Sequence, residues 1–351
     1  MSRYVSIVRC LFHGAVLAVV CSQYAGAQSA DRNSATYLYE GGDRAARLAE
    51  HARQEGTLVL YTSLATSESV PLTQAFEKKT GVKVQLWRAL SGQVLQRTLS
   101  EAQAGRNSVD VIETNGPEME ELAREKITSR FFSPYLADLP TWARPAHGRW
   151  ASDRVDFFVA AFNTAKVRRE ELPASYDGFL DPKWKGRIGV EATDQEWLQG
   201  IVKTWGAQRG MDFFRKLAAM KPEVRKGHVL MSQLVASGEV QVNLTNYSAN
   251  AQSMKKKGQP IDWKPVQPVI GRPQAIGAAA NAPHPNAALL FIDFVLSPEG
   301  QQLFDSMGRP PASTKVRSSL GDFPTVMLDP ANIVDESAKW QKLWSDALLP
   351  K

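Results

Sequence analysis

The chain has 351 residues, a formal net charge of +6, and a composition 43% hydrophobic and 22% charged. That is enough to bury a sizeable core without staples and to build two lobes; the mixed charges, with no aromatic–basic interleaving, argue against nucleic acid as a partner. Both cysteines, Cys10 and Cys21, fall within the first 27 residues, so the remainder has no disulfide, thiol nucleophile or cysteine metal site.

Arg3 and Arg9 form a basic start, Cys10 to Val20 a short apolar run, and Ala25-Gly26-Ala27 a small-x-small cleavage site. The run is short of the ~20 residues a membrane-spanning helix needs. Residues 1–27 therefore read as a cleaved secretory signal, with a periplasmic mature chain and no membrane insertion after cleavage. The mild positive balance modestly favours an anionic ligand.

Residues 28–42 are polar and read as a loose tail, followed by a short amphipathic helix at 43–54. A strand at 57–62 leads to a helix at 68–79. Val82, Val84 and Leu86 then give one face of a second strand. A helix over 91–104, a strand at 109–113 and a helix over 117–126 follow. Strands alternating with helices of this length predict βαβ units and a parallel sheet.

The second half repeats this pattern with strands at 157–163, 187–191 and 240–245 and helices at 195–206, 210–220 and 229–237. Residues 260–271 carry three prolines and read as extended chain at an edge or crossing. After a strand at 274–280, Asn286 opens a helix that is apolar almost all round, which belongs inside a large domain. Ser297-Pro298-Glu299 restarts a helix with the residues suited to the N-cap, first position and dipole. Gly308 and Pro310-Pro311 end it. The tail at 330–348 reads as an amphipathic helix on the second lobe.

In open parallel sheets, ligands bind beyond the carboxyl ends of the strands, where helix N-termini expose free N–H groups. Three strand ends deliver small polar residues there: Thr62 and Ser63, Ser91 and Gly92, Thr114 and Asn115. Asn246 and Tyr247 end a later strand, and Arg272 is the cation favoured for an anionic ligand. Hydroxyls, amides and backbone N–H groups suit a carboxylate or phosphate. Ordinary capping uses the same residue types. Glu113 is the carboxylate nearest the first-lobe edge. Glu191 and Asp194 flank Thr193 after a strand, with Asp194 placed to cap the next helix. His228 reads as a structural or surface histidine. No GxSxG, HExxH, Walker loop or strand-linked GxGxxG is present, so no catalytic constellation emerges.

Several stretches, in order, resemble bacterial extracellular solute-binding proteins of the ferric-iron-type branch. They are GTLVLYTS (56–63), FEKKTGVKVQLWR (76–88), VDVIETNG (109–116), LPASYDGFLDPKWKGRIGVE (172–191), LVASGEVQVNLTNYSANAQSMKKKGQPIDW (234–263) and APHPNAALLFIDFVLSPEGQ (282–301). The resemblance implies a two-lobe periplasmic-binding-protein fold of type II, each lobe a mostly parallel sheet flanked by helices and joined by crossing strands. Lobe 1 would be 57–157 plus 270–312 and lobe 2 would be 158–269 plus 313–351, with 28–56 as an N-terminal tail and short helix.

It further implies a monomer that delivers a small-molecule or metal ligand to the inner-membrane permease of an ABC importer, with no cofactor of its own. Fe³⁺ with a synergistic anion is one such ligand. Tyr247 matches the first of two tyrosinates in iron-binding relatives, but the second position falls near Ala249, which cannot ligate. Tyr247 therefore reads first as a wall or hydrogen-bonding residue; Tyr247 and Glu113 become metal ligands only if the ligand is ferric iron. A sensory binding protein would share the fold, as would a secreted enzyme with a nucleophile or acid–base pair in the cleft.

Overall fold

The structure, a computed structural model, describes residues 32–349; the expected signal at 1–27 lies outside them. In chain order the first half contains α1 (Ser34–Tyr37), α2 (Arg44–Glu55), β1 (Thr57–Thr62), α3 (Thr66–Thr80), β2 (Lys83–Arg88), α4 (Ser91–Gln103), β3 (Val111–Asn115) and α5 (Gly116–Arg124). Next come β4 (Ala151–Asn163), β5 (Ile188–Glu191), α6 (Gln195–Trp205), α7 (Ala207–Ala219), β6 (Glu223–Arg225), α8 (His228–Ser237) and β7 (Val242–Tyr247). The chain finishes with α9 (Ser248–Lys256), β8 (Ile261–Lys264), β9 (Val269–Ala278), α10 (Pro285–Leu296), α11 (Pro298–Ser306), β10 (Thr325–Met327), α12 (Pro330–Asp335) and α13 (Ser337–Leu348).

The strands form one continuous mixed sheet rather than two separate ones. Its order is β2-β1-β3-β9-β4-β7-β5-β6, with β10 on β9 and β8 on β4. β1 runs parallel to β2 and β3 at one end, and β5 parallel to β6 and β7 at the other. Between them the long strands β4 and β9 pair antiparallel with each other and with β3, β7 and β8, while β10 runs parallel to β9. The α/β class and the crossing strands were expected. The hydrogen-bonded continuity comes from β4 and β9, whose 13 and 10 residues exceed the strands read from sequence.

Two large apolar cores flank the crossing. The first joins β1 and β3 to α3 and α10, with Phe76 and Phe291 in edge-to-face contact at 5.0 Å. The second centres on Trp184, Trp197, Phe213, Phe214 and Trp344. Each fully buried side chain of this size contributes on the order of 2–3 kcal/mol. Between the cores, β4 and β9 carry buried polar residues: Ser152, Asp153, Arg154, Asp156, Arg272 and Gln274. Apolar strand ends fill the cores and a polar middle lines the gap between them.

Several local readings change. Residues 32–42 are not loose: Tyr37 is fully buried and donates to Ala279 O at 3.0 Å, and Asn33 donates to Ala282 O at 3.0 Å. α10 is buried as its composition requires, and Ser297 Oγ accepts the Gly300 N–H at 3.3 Å. Gly308 follows α11 at φ +81°, a left-handed conformation suited to glycine. Gly116 opens α5 against the crossing, where an added Cβ would lie 2.9 Å from Pro273 O. Only glycine lets α5 begin this close to β9.

Candidate functional site

The polar middle of β4 and β9 meets the carboxyl ends of β1, β3, β5 and β7, and the side chains there form a buried ionic network. Arg154 Nη1 binds Glu113 Oε1 at 2.5 Å and Asp153 Oδ2 at 2.9 Å. Thr62 Oγ1 donates to the other Glu113 oxygen and in turn accepts Leu64 N–H at 2.9 Å. Glu113 is thus engaged on both oxygens. Arg309, just past α11, holds Glu68 of α3 at 2.9 and 3.1 Å, a forked pairing of the strong kind, and also binds Asp156.

On the second-core side, Arg272 donates one arm to the Tyr247 phenol oxygen and another to Glu196 Oε2 at 3.4 Å. The His228 ring lies on Tyr247 with centroids 3.7 Å apart and planes 29° apart, and its Nε2 faces Asp194 Oδ1 at 3.2 Å. Asp194 sits just before α6, yet its side chain makes no cap hydrogen bond; it pairs with His228 instead of capping.

The ionisation of these groups follows from burial and pairing. Burial acts to raise Asp156, but Arg309, Arg154 and Arg272 outweigh it and hold the carboxyl below its usual range. Burial pushes Glu118 up to about 7, helped by Glu196 and opposed by Arg272. Burial likewise takes Asp153 up to about 7 and Asp194 up to about 6 against the pull of Arg154 and His228. Burial also raises Tyr247 well above an ordinary phenol, with Arg272 opposing. For His228, burial favours the neutral ring, but Asp194 and Glu191 outweigh it and raise its pKa.

Of the residues singled out from sequence, Thr62 and Glu113 meet in one cluster, and Tyr247 and Arg272 in another. Ser63 donates its N–H to Glu113 O at 3.0 Å. Thr114 is buried, and its Oγ1 has no hydrogen-bond partner. Asn115 reaches Glu118 Oε1 at 3.5 Å. Asn246 Oδ1 accepts from Ser232 at 3.0 Å while its Nδ2 is unpartnered. Ser91 and Gly92 start α4 half-exposed and exposed, and no hydrogen bond among the described residues ties either to the network.

Sequence reasoning missed Glu68, Arg154, Asp156, Glu118, Glu196 and Arg309. Arg309 matters most, because Gly308 and Pro310-Pro311 read from sequence only as the end of a helix, yet the residue between them sends its guanidinium into the network. The local signal was Arg309 itself, an isolated charge between Gly308 and Pro310.

Several buried polar atoms around these clusters have no protein hydrogen-bond partner. Donors include Arg154 Nε, Arg272 Nε, Asn246 Nδ2, Ser248 Oγ and Gln274 Nε2; acceptors include Glu118 Oε2, Asp153 Oδ1 and Asp194 Oδ2. Such atoms are costly to leave unsatisfied.

The family model described as bacterial extracellular solute-binding protein matches residues 72–323, most of the chain. The chain belongs to this family. It is 25% identical to the Fe(3+)-binding periplasmic protein of Serratia marcescens, covering 73% of this chain and 78% of that one. It is 24% identical to the putative 2-aminoethylphosphonate-binding periplasmic protein of Salmonella typhimurium, covering 78% and 81%. Iron-bound HitA from Pseudomonas aeruginosa superposes with a TM-score of 0.71 at 23% identity, covering 83% of this chain and 99% of HitA. That overlap establishes the fold, and family membership makes this a solute-binding protein. Among the described residues no helix is long and apolar enough to cross a membrane.

Proposed function

We propose that this chain is the periplasmic binding component of an ABC importer that encloses a small organic anion, of the phosphonate or sugar-phosphate kind, and presents it to an inner-membrane permease. One observation carries the ligand class. The Tyr247 phenol oxygen accepts from Arg272, and burial raises the phenol well above its ordinary pKa, with Arg272 opposing. A phenol oxygen that already faces a guanidinium is poorly placed to take a cation, whereas the unpartnered donors Arg272 Nε, Asn246 Nδ2 and Ser248 Oγ suit anionic oxygen.

The 2-aminoethylphosphonate-binding relative supports a phospho-anion. Ferric iron with a synergistic anion is the second reading, supported by the iron-binding relative, with Tyr247 and Glu113 as its ligands. Thr62, Ser63, Thr114, Asn115, Asn246, Tyr247 and Arg272 are the binding residues in this account, with Ser91 and Gly92 at the rim. Lobes of 57–157 plus 270–312 and 158–269 plus 313–351 would hinge at the crossing of β4 and β9, ligand shifting the open–closed population. The protein acts as a monomer and does no chemistry on its cargo.

The test is thermal-shift and calorimetric titration of the purified protein with 2-aminoethylphosphonate, a sugar-phosphate panel and ferric citrate. Saturable binding of a phospho-anion, weakened in Arg272→Met, supports the reading. Binding of ferric iron alone, with a visible phenolate–iron band, sinks it.

A further inference from the structure

One wall of the cleft holds a cluster that the anion reading leaves unused. Glu191 ends β5, Asp194 immediately precedes α6, and His228 opens α8. One ligating atom from each, two carboxylate oxygens and an imidazole nitrogen, lies within 4.8 Å of the other two. A first-row dication bonds such atoms at about 2.0–2.2 Å, which sets neighbouring donors roughly 3–4 Å apart. Only a small contraction would close this triangle on an ion.

The three side chains are held in place by contacts of their own. Glu191 Oε2 accepts the Thr193 N–H at 2.5 Å and the Thr193 hydroxyl at 2.7 Å; its Oε1 accepts the Gly227 N–H at 2.7 Å. These bonds tie the start of α8 to the end of β5 and leave a lone pair on Oε1. The ring of His228 is steadied by its stacking on Tyr247 at 3.7 Å. Its Nε2 faces Asp194 Oδ1 at 3.2 Å, so these two potential ligand atoms already converge.

A second observation separates this cluster from an ordinary buried ion pair. The Asp194 side chain is 1% exposed, yet its Oδ2 has no hydrogen-bond partner, and neither has His228 Nδ1. Leaving both atoms bare in a desolvated site is unfavourable. A cation removes that deficit. The charges acting on His228 favour one as well: two carboxylates, Asp194 and Glu191, stand against one guanidinium, Arg272. A dication there moves the cleft toward neutrality and adds a positive centre for an anionic solute.

We propose that Glu191, Asp194 and His228 form a binding site for a divalent first-row metal ion. Two carboxylates and one imidazole suit zinc or manganese. The proposal stands independently of which solute the cleft carries.

The experiment is isothermal titration of the purified, EDTA-stripped protein with zinc chloride and, separately, manganese chloride. Asp194→Asn, His228→Gln and, as a control, His147→Gln are titrated alongside, with circular dichroism to check folding. The expected result is one equivalent of at least one metal bound by wild type and by His147→Gln, with at least tenfold weaker binding in Asp194→Asn and His228→Gln. X-ray absorption at the metal edge should show one imidazole nitrogen among oxygen donors. Absence of stoichiometric binding of both metals to stripped wild type overturns the proposal, whatever the variants do. So does equal binding in Asp194→Asn and His228→Gln, or an edge spectrum without imidazole.

Discussion

The Arg272 guanidinium donates to the phenol oxygen of Tyr247 while its other arm reaches Glu196 at 3.4 Å. This one relationship turns a strand-end tyrosine from a candidate metal ligand into the hydrogen-bonded partner of a cation. Tyr247→Phe leaves a buried Arg272 N–H unpaired, at a cost of about 1–3 kcal/mol in stability. Urea denaturation should show that loss, and ligand affinity should fall about tenfold as the wall of the site loosens. A variant unchanged in both would remove Tyr247 from the site.

Arg309 holds Glu68 and Asp156 together in a buried cluster. Arg309→Met strands both carboxylates, and losing one side of a buried pair costs about 3–5 kcal/mol. Arg309→Lys keeps the charge but loses the fork, so its loss should be smaller. Equal destabilisation of the two variants, read from denaturation midpoints at constant slope, would contradict the pairing.

Glu118 and Asp153 predict a definite sign of pH dependence. Unfolded carboxyls titrate near 4, while these two rise to about 7 in the fold. The folded state therefore binds more protons across that interval, and their contribution to stability declines as pH rises through it. Around Glu118 stand Glu196, Arg272 and Glu121. Glu118→Gln should be more stable than ligand-free wild type at about pH 8, with the gap closing by about pH 5. A gap independent of pH would show that Glu118 ionises normally.

Phe291 is 1% exposed and meets Phe76 edge-on in the first core. Phe291→Ala should cost about 3–5 kcal/mol. A loss below about 1 kcal/mol in chemical denaturation would mean that α10 is not packed as described.

Local signals carried much of the fold. Ser297-Pro298-Glu299, the apolar run of α10 and the alternation of strands with helices each act within a few residues, so the longer elements were legible in order, whereas the short strands β6 and β10 were not, and the single helix read at 330–348 is two, α12 and α13. The start of β4 was not, because Ser152, Asp153, Arg154 and Asp156 break the apolar pattern that made the strand visible from Phe157 onward. Those residues are polar because they pair with Glu113, Gln274 and Arg309 at the crossing, and that pairing hid the strand. The network itself was illegible for another reason. Arg309 finds Asp156 across 153 positions and Glu68 across 241, and no local pattern announces such partners. His228 looked like a lone structural histidine until the fold laid it on Tyr247. Thr62, Glu113 and Tyr247 were singled out because they lie at strand ends, where ligands gather in parallel sheets, and Arg272 as a cation suited to an anion; the fold brings Thr62 to Glu113 and Tyr247 to Arg272.

The most direct test of the account is to release whatever the purified protein carries and determine its mass and metal content, with a visible spectrum taken before release. The account predicts a small solute bearing an acidic or phosphoryl group and no phenolate–iron absorption. Stoichiometric ferric iron with a visible band that vanishes in Tyr247→Phe would contradict it.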